Sequence, residues 1–101
     1  MRLVVATLKP SQVESVRQAL AAVSVTRMTV CDGQGWQAAG GGLLQQSILE
    51  IAVNDDFLEP TVRAITAAIE AGGDSATGRL HALPIGDAVQ LYREVRGPEA
   101  V

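Results

Sequence analysis

Residues 3–23, LVVATLKPSQVESVRQALAAV, bring together a strand, a break and a helix. The near-continuous apolar run from Leu3 to Leu8 is typical of a strand that is covered on both faces or central in a sheet. Pro10 ends the run, and Ser11 with Glu14 has the spacing of a capping box, in which two side chains bond unpaired N–H groups of a first helical turn. Apolar residues then recur at helical spacing: Val13, Val16, Leu20 and Val23. We therefore predict an amphipathic helix over residues 11–23.

Two further strands are predicted around a glycine-rich segment. β-Branched residues from Val25 to Cys31 favour a second strand. Residues 32–42 include five glycines, so this segment is predicted to be a flexible loop. Residues 46–53 favour a third strand, which ends at the turn Asn54-Asp55-Asp56.

A second helix and a fourth strand complete the series. The helix is predicted from an apolar stripe that Gly72-Gly73 ends: Leu58, Val62, Ile65 and Ile69. After a polar segment at residues 74–78, residues 79–84 are predicted to form the fourth strand. The C-terminal tail, residues 90–101, is preceded by one short helical turn that is predicted to start near Asp87.

The order βαββαβ is that of a ferredoxin-like α+β fold, a four-stranded antiparallel sheet with both helices on one face. It fits a single domain over residues 1–101. Because the helices cover one face of the sheet only, the other face needs a partner. We therefore expect a homo-oligomer.

Composition argues against several classes of protein. Hydrophobic residues make up 48% of the chain and aromatic residues 3%, so the core must be aliphatic. The net charge is −3, whereas a nucleic-acid-binding module usually has a basic face with aromatics. No apolar run approaches the ~20 residues of a membrane span, and the N-terminus lacks a signal-peptide cleavage site. A single cysteine, Cys31, excludes an internal disulfide. We expect a cytoplasmic protein without nucleic-acid binding or membrane insertion.

Several segments resemble, in order, the PII superfamily of signal-transduction proteins. Residues 4–10 (VVATLKP) are similar to its opening strand and Lys-Pro turn, and residues 28–30 (MTV) to its second strand. Residues 49–53 (LEIAV) resemble its third strand, and residues 78–80 (GRL) stand where it has Gly-Lys-Ile. The similarity covers roughly residues 1–97. It implies a homotrimer that binds ATP or ADP between subunits and contacts a target protein through a loop after the second strand.

The resemblance also implies a nucleotide site. Thr29 would bond the adenine edge, and Leu8 and Val53 would contact the ring. Gly35 would let the backbone approach the nucleotide closely, because glycine has no Cβ. The segment 74–78 would offer backbone N–H groups to phosphates, and Arg79 would replace a phosphate-binding lysine. The predicted set is Leu8, Thr29, Gly35, Trp36, Gln37, Val53, Thr77, Gly78, Arg79 and Arg93.

The chain also departs from the family pattern. Residues 32–42 are far shorter than the family's target-binding loop, and the only tyrosine, Tyr92, lies near the C-terminus instead of in that loop. Gln37 is at best a displaced counterpart of the glutamine that chelates metal and 2-oxoglutarate, and Arg93 lies beside the position of a late phosphate-binding arginine. Fewer cations favour ADP or AMP over ATP. Backbone amides in a short loop around Gly33, Gly35 and Gln37 favour a small anion such as bicarbonate, as in PII-like proteins linked to carboxysomes and inorganic carbon. The need for Mg²⁺ stays open.

Two other hypotheses remain. A CutA-type trimeric divalent-metal-binding protein shares the fold, but the soft or imidazole ligands here are only Cys31 and His81, which lack partners at ligand spacing. An interaction module with an empty cleft is the other. No Ser-His-Asp or paired-carboxylate arrangement is visible, so we predict a regulator and not an enzyme. Its target, a transporter or a metabolic enzyme in carbon or nitrogen metabolism, is left open.

Overall fold

The computed structural model describes residues 1–73 and 78–101. The strands and helices are β1 Arg2–Leu8, α1 Val13–Ala22, β2 Thr29–Gln37, β3 Gly42–Val53, α2 Asp55–Ala71, β4 Arg79–Pro84, β5 Val89–Gln90 and β6 Val95–Arg96. The predicted βαββαβ order is confirmed, and β4 has the predicted bounds. α2 ends at Ala71, directly before the predicted stop at Gly72-Gly73.

The sheet has the order β2-β3-β1-β4 with antiparallel neighbours throughout. β1 pairs with β3 from Arg2 opposite Val53 to Leu8 opposite Ser47. On its other side, β1 pairs with β4 as far as Thr7 opposite Arg79. This is the ferredoxin-like arrangement that the sequence predicts.

The core lies between one face of the sheet and the two helices. Alternate residues of β1 and β3 are buried, as the period of two in a strand requires. The buried apolar residues are Val4, Ala6, Leu8, Val16, Leu20, Leu49, Ile51, Val53, Ile65 and Ile69. The intervening residues of β1 (Leu3, Val5 and Thr7) are only half-buried in the single chain. We call their side of the sheet the open face.

The link between β1 and α1 differs from the prediction. Residues Pro10–Gln12 form a 3₁₀ turn, and α1 begins at Val13. The Lys9 backbone N–H donates to Gln12 Oε1 at 3.0 Å, so the capping interaction lies two residues earlier than the predicted Ser11–Glu14 box. Glu14 instead accepts hydrogen bonds from Arg17, and these bonds lower the pKa of the Glu14 carboxyl. The predicted capping box is wrong because α1 starts two residues later than residue 11.

The predicted flexible loop at residues 32–42 is mostly a β-hairpin. β2 begins at Thr29, not Val25, and its ladder with β3 continues to Gln37 opposite Gly42. A ladder needs only backbone groups, so glycines do not prevent it. Side chains of β3 cover two of them: a Cβ at Gly33 would lie 3.4 Å from Ile48 Cδ1, and Gly35 is covered by Gln46. Only residues 38–41 form the turn, which is followed by Gly42 at φ +62°.

The tail also differs from the prediction. Instead of a helical turn near Asp87, β5 and β6 form a small antiparallel hairpin. Asp87 supports its base, because its carboxylate accepts bonds from the Ala88 N–H at 2.9 Å and from Arg96 Nη1 at 3.3 Å. The last residues, Gly97–Ala100, form a 3₁₀ helix, and Asn54 Nδ2 donates to the Pro98 carbonyl at 3.0 Å.

Candidate functional site

One end of the sheet brings several predicted residues together. β1 stops at Leu8, opposite Ser47, while the β2–β3 ladder continues for five more pairs, from Gly33 opposite Gln46 to Gln37 opposite Gly42. At roughly 3.3 Å per residue, this two-stranded extension projects about 17 Å beyond β1. We call residues 33–46 the ribbon and this end of the sheet the ribbon end.

A cleft of about 570 Å³ lies at the base of the ribbon. Its lining comes from the end of β1, the following turn and the two ribbon strands: Leu8, Lys9, Pro10, Ser11, Gln37, Leu44, Gln45 and Gln46. Leucine side chains form an apolar wall, three glutamines supply amide donors and acceptors, and Lys9 adds a cation. Such a lining suits a planar polar group with an attached anion.

Gly35 lies on the ribbon beside this cleft, opposite Leu44. A Cβ built on Gly35 would lie 2.3 Å from Gln46 Oε1, 2.4 Å from Cδ and 2.5 Å from Nε2. The Gln46 carboxamide therefore rests on the Gly35 backbone. Gln46 was absent from the predicted set, because only the ladder register shows which side chain covers Gly35.

The start of β4 reaches the same end. A Cβ on Gly78 would lie 3.7 Å from Leu8 Cδ2 and 3.1 Å from Ile69 Cδ1, so Gly78 packs next to the last residue of β1. Arg79 follows it, exposed and opposite Thr7. Gly78 and Arg79 also line a smaller cleft of about 210 Å³ against α2. Thr77 and the rest of the predicted anion-binding segment, residues 74–77, lie outside the described residues.

Leu8 and Val53 are not on a common surface of the chain. Both point into the core on the helix side, with exposures of 2% and 4%. They also lie at opposite ends of the sheet, since Leu8 pairs with Ser47 and Val53 with Arg2. Their neighbours Thr7 and Ala52 face the open side, because consecutive strand residues point to opposite faces.

Thr29 lies on the open face, at the start of the edge strand β2. It is exposed and opposite Glu50, which in turn lies opposite Val5, and Val5 lies opposite His81 on β4. Thr29 precedes Gly35 by six residues on the same strand, which corresponds to roughly 20 Å. One chain therefore does not bring Thr29 next to the cleft at the ribbon base.

Trp36 and Arg93 are exposed on separate hairpins. Trp36 is 71% exposed and lies opposite Leu43, which is 64% exposed, near the tip of the ribbon. Arg93 lies in the turn between β5 and β6. The base of that hairpin continues to Pro98, which contacts Asn54 just after Val53, at the end of the sheet away from the ribbon.

The start of α2 also lies away from the ribbon end, and its residue Asp55 has a lowered pKa. The amino group of Met1 donates to Asp55 Oδ1 at 2.8 Å, and Arg2 Nε lies 3.9 Å from the same oxygen. The hydrogen bond, and then the charge, of the amino group lower the pKa of the Asp55 carboxyl. This contact ties the first residue to the start of α2.

Within residues 1–73 and 78–101, no group of three or more His, Cys, Asp and Glu residues is arranged to hold a metal ion. No helix in those ranges combines the length and apolar character needed to cross a bilayer. Cys31 is exposed on β2, opposite Ile48.

Comparison with known proteins points to a family of regulators. The family model described as nitrogen regulatory protein P-II matches residues 1–95. The nitrogen regulatory protein GlnK1 of Methanosarcina mazei is 33% identical, over 100% of this chain and 97% of that protein. The nitrogen regulatory protein P-II of Rhizobium etli is 29% identical, over 100% of both chains. The matched region includes the sheet, both helices and the ribbon.

Proposed function

Because this chain belongs to the nitrogen regulatory protein P-II family, we propose that it binds an adenine nucleotide between the subunits of a homotrimer and thereby controls a target protein in the cytoplasm. Family membership makes the chain a signal-transduction regulator and not an enzyme. It also outweighs the CutA-type metal-binding hypothesis. The nucleotide, its site and the target are the parts that need testing.

One observation carries the nucleotide proposal. The ribbon base, the end of β1 and the start of β4 converge on one end of the sheet, where a cleft of about 570 Å³ is present. Gly35 supplies backbone without a Cβ, Gln37 supplies an amide, and Gly78 packs against Leu8 directly before Arg79. Arg79 can donate two parallel bonds to a phosphate. Ring, ribose and phosphate chemistry can therefore all be met at this end.

The rest of the predicted set argues for a site shared between subunits. Thr29 and Arg93 lie away from the ribbon end of their own chain, so they can join the cleft only from a neighbour. The open face of the sheet also carries half-buried apolar residues, Leu3 and Val5 among them, that a second copy would cover. A ring of three subunits satisfies both needs at once.

The ribbon is the proposed contact to the target protein. Trp36 and Leu43 form an exposed cross-strand pair near its tip, and large apolar side chains of this kind are typical binding hot spots. No charged residue occurs from Gly33 to Ser47. The target contact should therefore depend on apolar burial more than on ion pairs.

The proposal keeps bicarbonate as one candidate second effector, with 2-oxoglutarate as the other. The expected amide nest around Gly33, Gly35 and Gln37 loses its physical basis, because these residues belong to a strand. The amides of alternate strand residues point to the same edge but lie roughly 7 Å apart, so they do not converge on one small anion. The names of both relatives refer to nitrogen regulation, so nitrogen metabolism stands beside carbon metabolism as the process that the target serves. The dependence on Mg²⁺ is measured in the same experiment.

Calorimetric titration with ADP, ATP and AMP tests the nucleotide site. We expect binding, and we expect Arg79→Ala to weaken it by about 1.5–3 kcal/mol, the value of a hydrogen bond to a charged group. The same change should leave the affinity for adenosine unaltered, because adenosine has no phosphate. Arg63→Ala, on the exposed side of α2, is the charge-matched control. No binding of any adenine nucleotide would refute the proposal.

The second effector is tested by linkage. The ADP affinity is measured with and without bicarbonate, and with and without 2-oxoglutarate, each in the presence and absence of Mg²⁺. A true effector changes the affinity for ADP by a certain factor, and ADP changes the affinity for that effector by the same factor. Coupling to 2-oxoglutarate alone would assign the protein to nitrogen sensing, and coupling to bicarbonate alone to inorganic carbon.

A further inference from the structure

The Gln46 side chain covers Gly35, one of the glycines of the ribbon. Its three terminal atoms lie within 2.5 Å of the place where a Cβ of Gly35 would stand. The carboxamide thus fills the volume that a methyl group at residue 35 would fill. Gly35 has no side chain, yet its open-face surface is covered.

From this overlap we infer that Gln46 is a gate that must leave Gly35 before a ligand can contact the backbone there. The inference rests on the proposed nucleotide function and adds a step to it. While the carboxamide lies on Gly35, no ligand atom can come closer to the backbone there than it could if residue 35 were an alanine. When the side chain rotates away, the glycine surface opens toward the cleft that Gln46 itself lines.

The gate is held weakly, which allows it to open. Within residues 1–73 and 78–101, no hydrogen bond involves the Gln46 carboxamide. The side chain is half-buried and belongs to a ribbon that projects beyond β1. It is retained by contact with Gly35 and the cleft wall, and rotation returns its amide to water, where both ends can be hydrogen-bonded.

The gate reduces apparent affinity by the fraction of time that it is open. A gate that is closed for two-thirds to nine-tenths of the time weakens binding about three- to tenfold. Removing the carboxamide removes that factor, provided that Gln46 does not itself bond the ligand. Gln46→Ala is therefore expected to bind ADP about three- to tenfold more tightly than the wild type.

Gly35→Ala provides the complementary variant. Its methyl group places a permanent obstacle in the volume that Gln46 covers only part of the time, and the flexible carboxamide can move aside, so the fold should tolerate it. ADP binding should weaken, and Gln46→Ala should bring no gain in the Gly35→Ala background. This non-additivity is what a shared volume predicts.

Gln34→Ala is the matched control. Gln34 lies on the same ribbon next to Gly35, but its side chain is exposed on the other face, opposite Gln45, and it does not line the cleft. We expect less than a twofold change in its ADP affinity.

Calorimetry of ADP binding to the wild type, the three single variants and the double variant decides the matter. Tighter binding by Gln46→Ala that vanishes in the double variant supports the gate. Equal or weaker binding by Gln46→Ala, with the wild type still binding, overturns the gate and leaves the nucleotide proposal standing. If none of the five proteins binds ADP, ATP or AMP, both are overturned.

Discussion

Thr61 offers the sharpest test of how the core is built. It lies in α2 and is 0% exposed, and its hydroxyl has no hydrogen-bond partner in the described part of the chain. A buried hydroxyl without a partner costs about 1–3 kcal/mol. Thr61→Val replaces it with a methyl group of similar size. Thr and Val have nearly equal helix propensities, so the helix itself contributes little to the change.

We expect Thr61→Val to raise the free energy of unfolding by about 1–2 kcal/mol. For a chain of about 100 residues this corresponds to an increase in Tm of roughly 5–10 °C. Urea denaturation followed by circular dichroism measures the change. Every variant must be compared at one protomer concentration, because oligomer formation makes apparent stability concentration-dependent.

Thr66→Val is the control for Thr61→Val. Thr66 lies on the exposed side of the same helix, and its hydroxyl donates to the Val62 carbonyl at 2.8 Å. The change should stay within about 0.5 kcal/mol, as for most surface substitutions. If Thr61→Val lost 1 kcal/mol or more while Thr66→Val was neutral, the Thr61 hydroxyl would have a partner, and the reasoning would be refuted.

Two further predictions concern assembly and acid stability. Leu3→Asp, on the open face opposite Ala52 and Leu83, should convert the proposed trimer into monomers with unchanged circular dichroism, because a carboxylate without a cation partner cannot be buried between subunits. Light scattering measures the mass, Ser15→Asp on the exposed side of α1 is the control, and a trimeric Leu3→Asp protein would rule out the open face as the interface. Asp55 has a lowered pKa, so its stabilisation is present above its ordinary pKa of about 3.9 and is lost as the pH falls through the lowered value. The stability difference between wild type and Asp55→Asn should therefore shrink below about pH 4, and a difference that grew on acidification would contradict this assignment.

The ribbon is the part of the fold that the sequence did not predict. Apolar patterning predicted β1 and both helices, because side-chain burial decides those elements. The ribbon is formed by backbone pairing of β2 with β3, to which Gly33 and Gly35 contribute no side-chain pattern. Composition alone therefore suggested a loop where a ladder exists.

The sequence indicated some residues of the ribbon end, but it did not show which face of the sheet each strand residue occupies. Gly35, Gln37, Gly78 and Arg79 come from segments far apart in the chain, and the resemblance to a known family indicated them before the fold showed that they share one end of the sheet. Leu8 and Val53 were selected from the same motifs, but both face the core. A shift of one residue along a strand exchanges one face for the other, and periodicity in a single sequence does not say which face a ligand will see.

By itself, the sequence determined the family, the order of the elements and an aliphatic core, because these follow from local periodicity and from motifs in a fixed order. Only the tertiary structure decided that residues 33–46 form a ribbon, that Gln46 lies on Gly35 and that Thr29 is remote from the cleft of its own chain. These features depend on the register between strands that are distant in the chain. Register is the sum of many backbone pairings across the sheet, and no single stretch of residues encodes it.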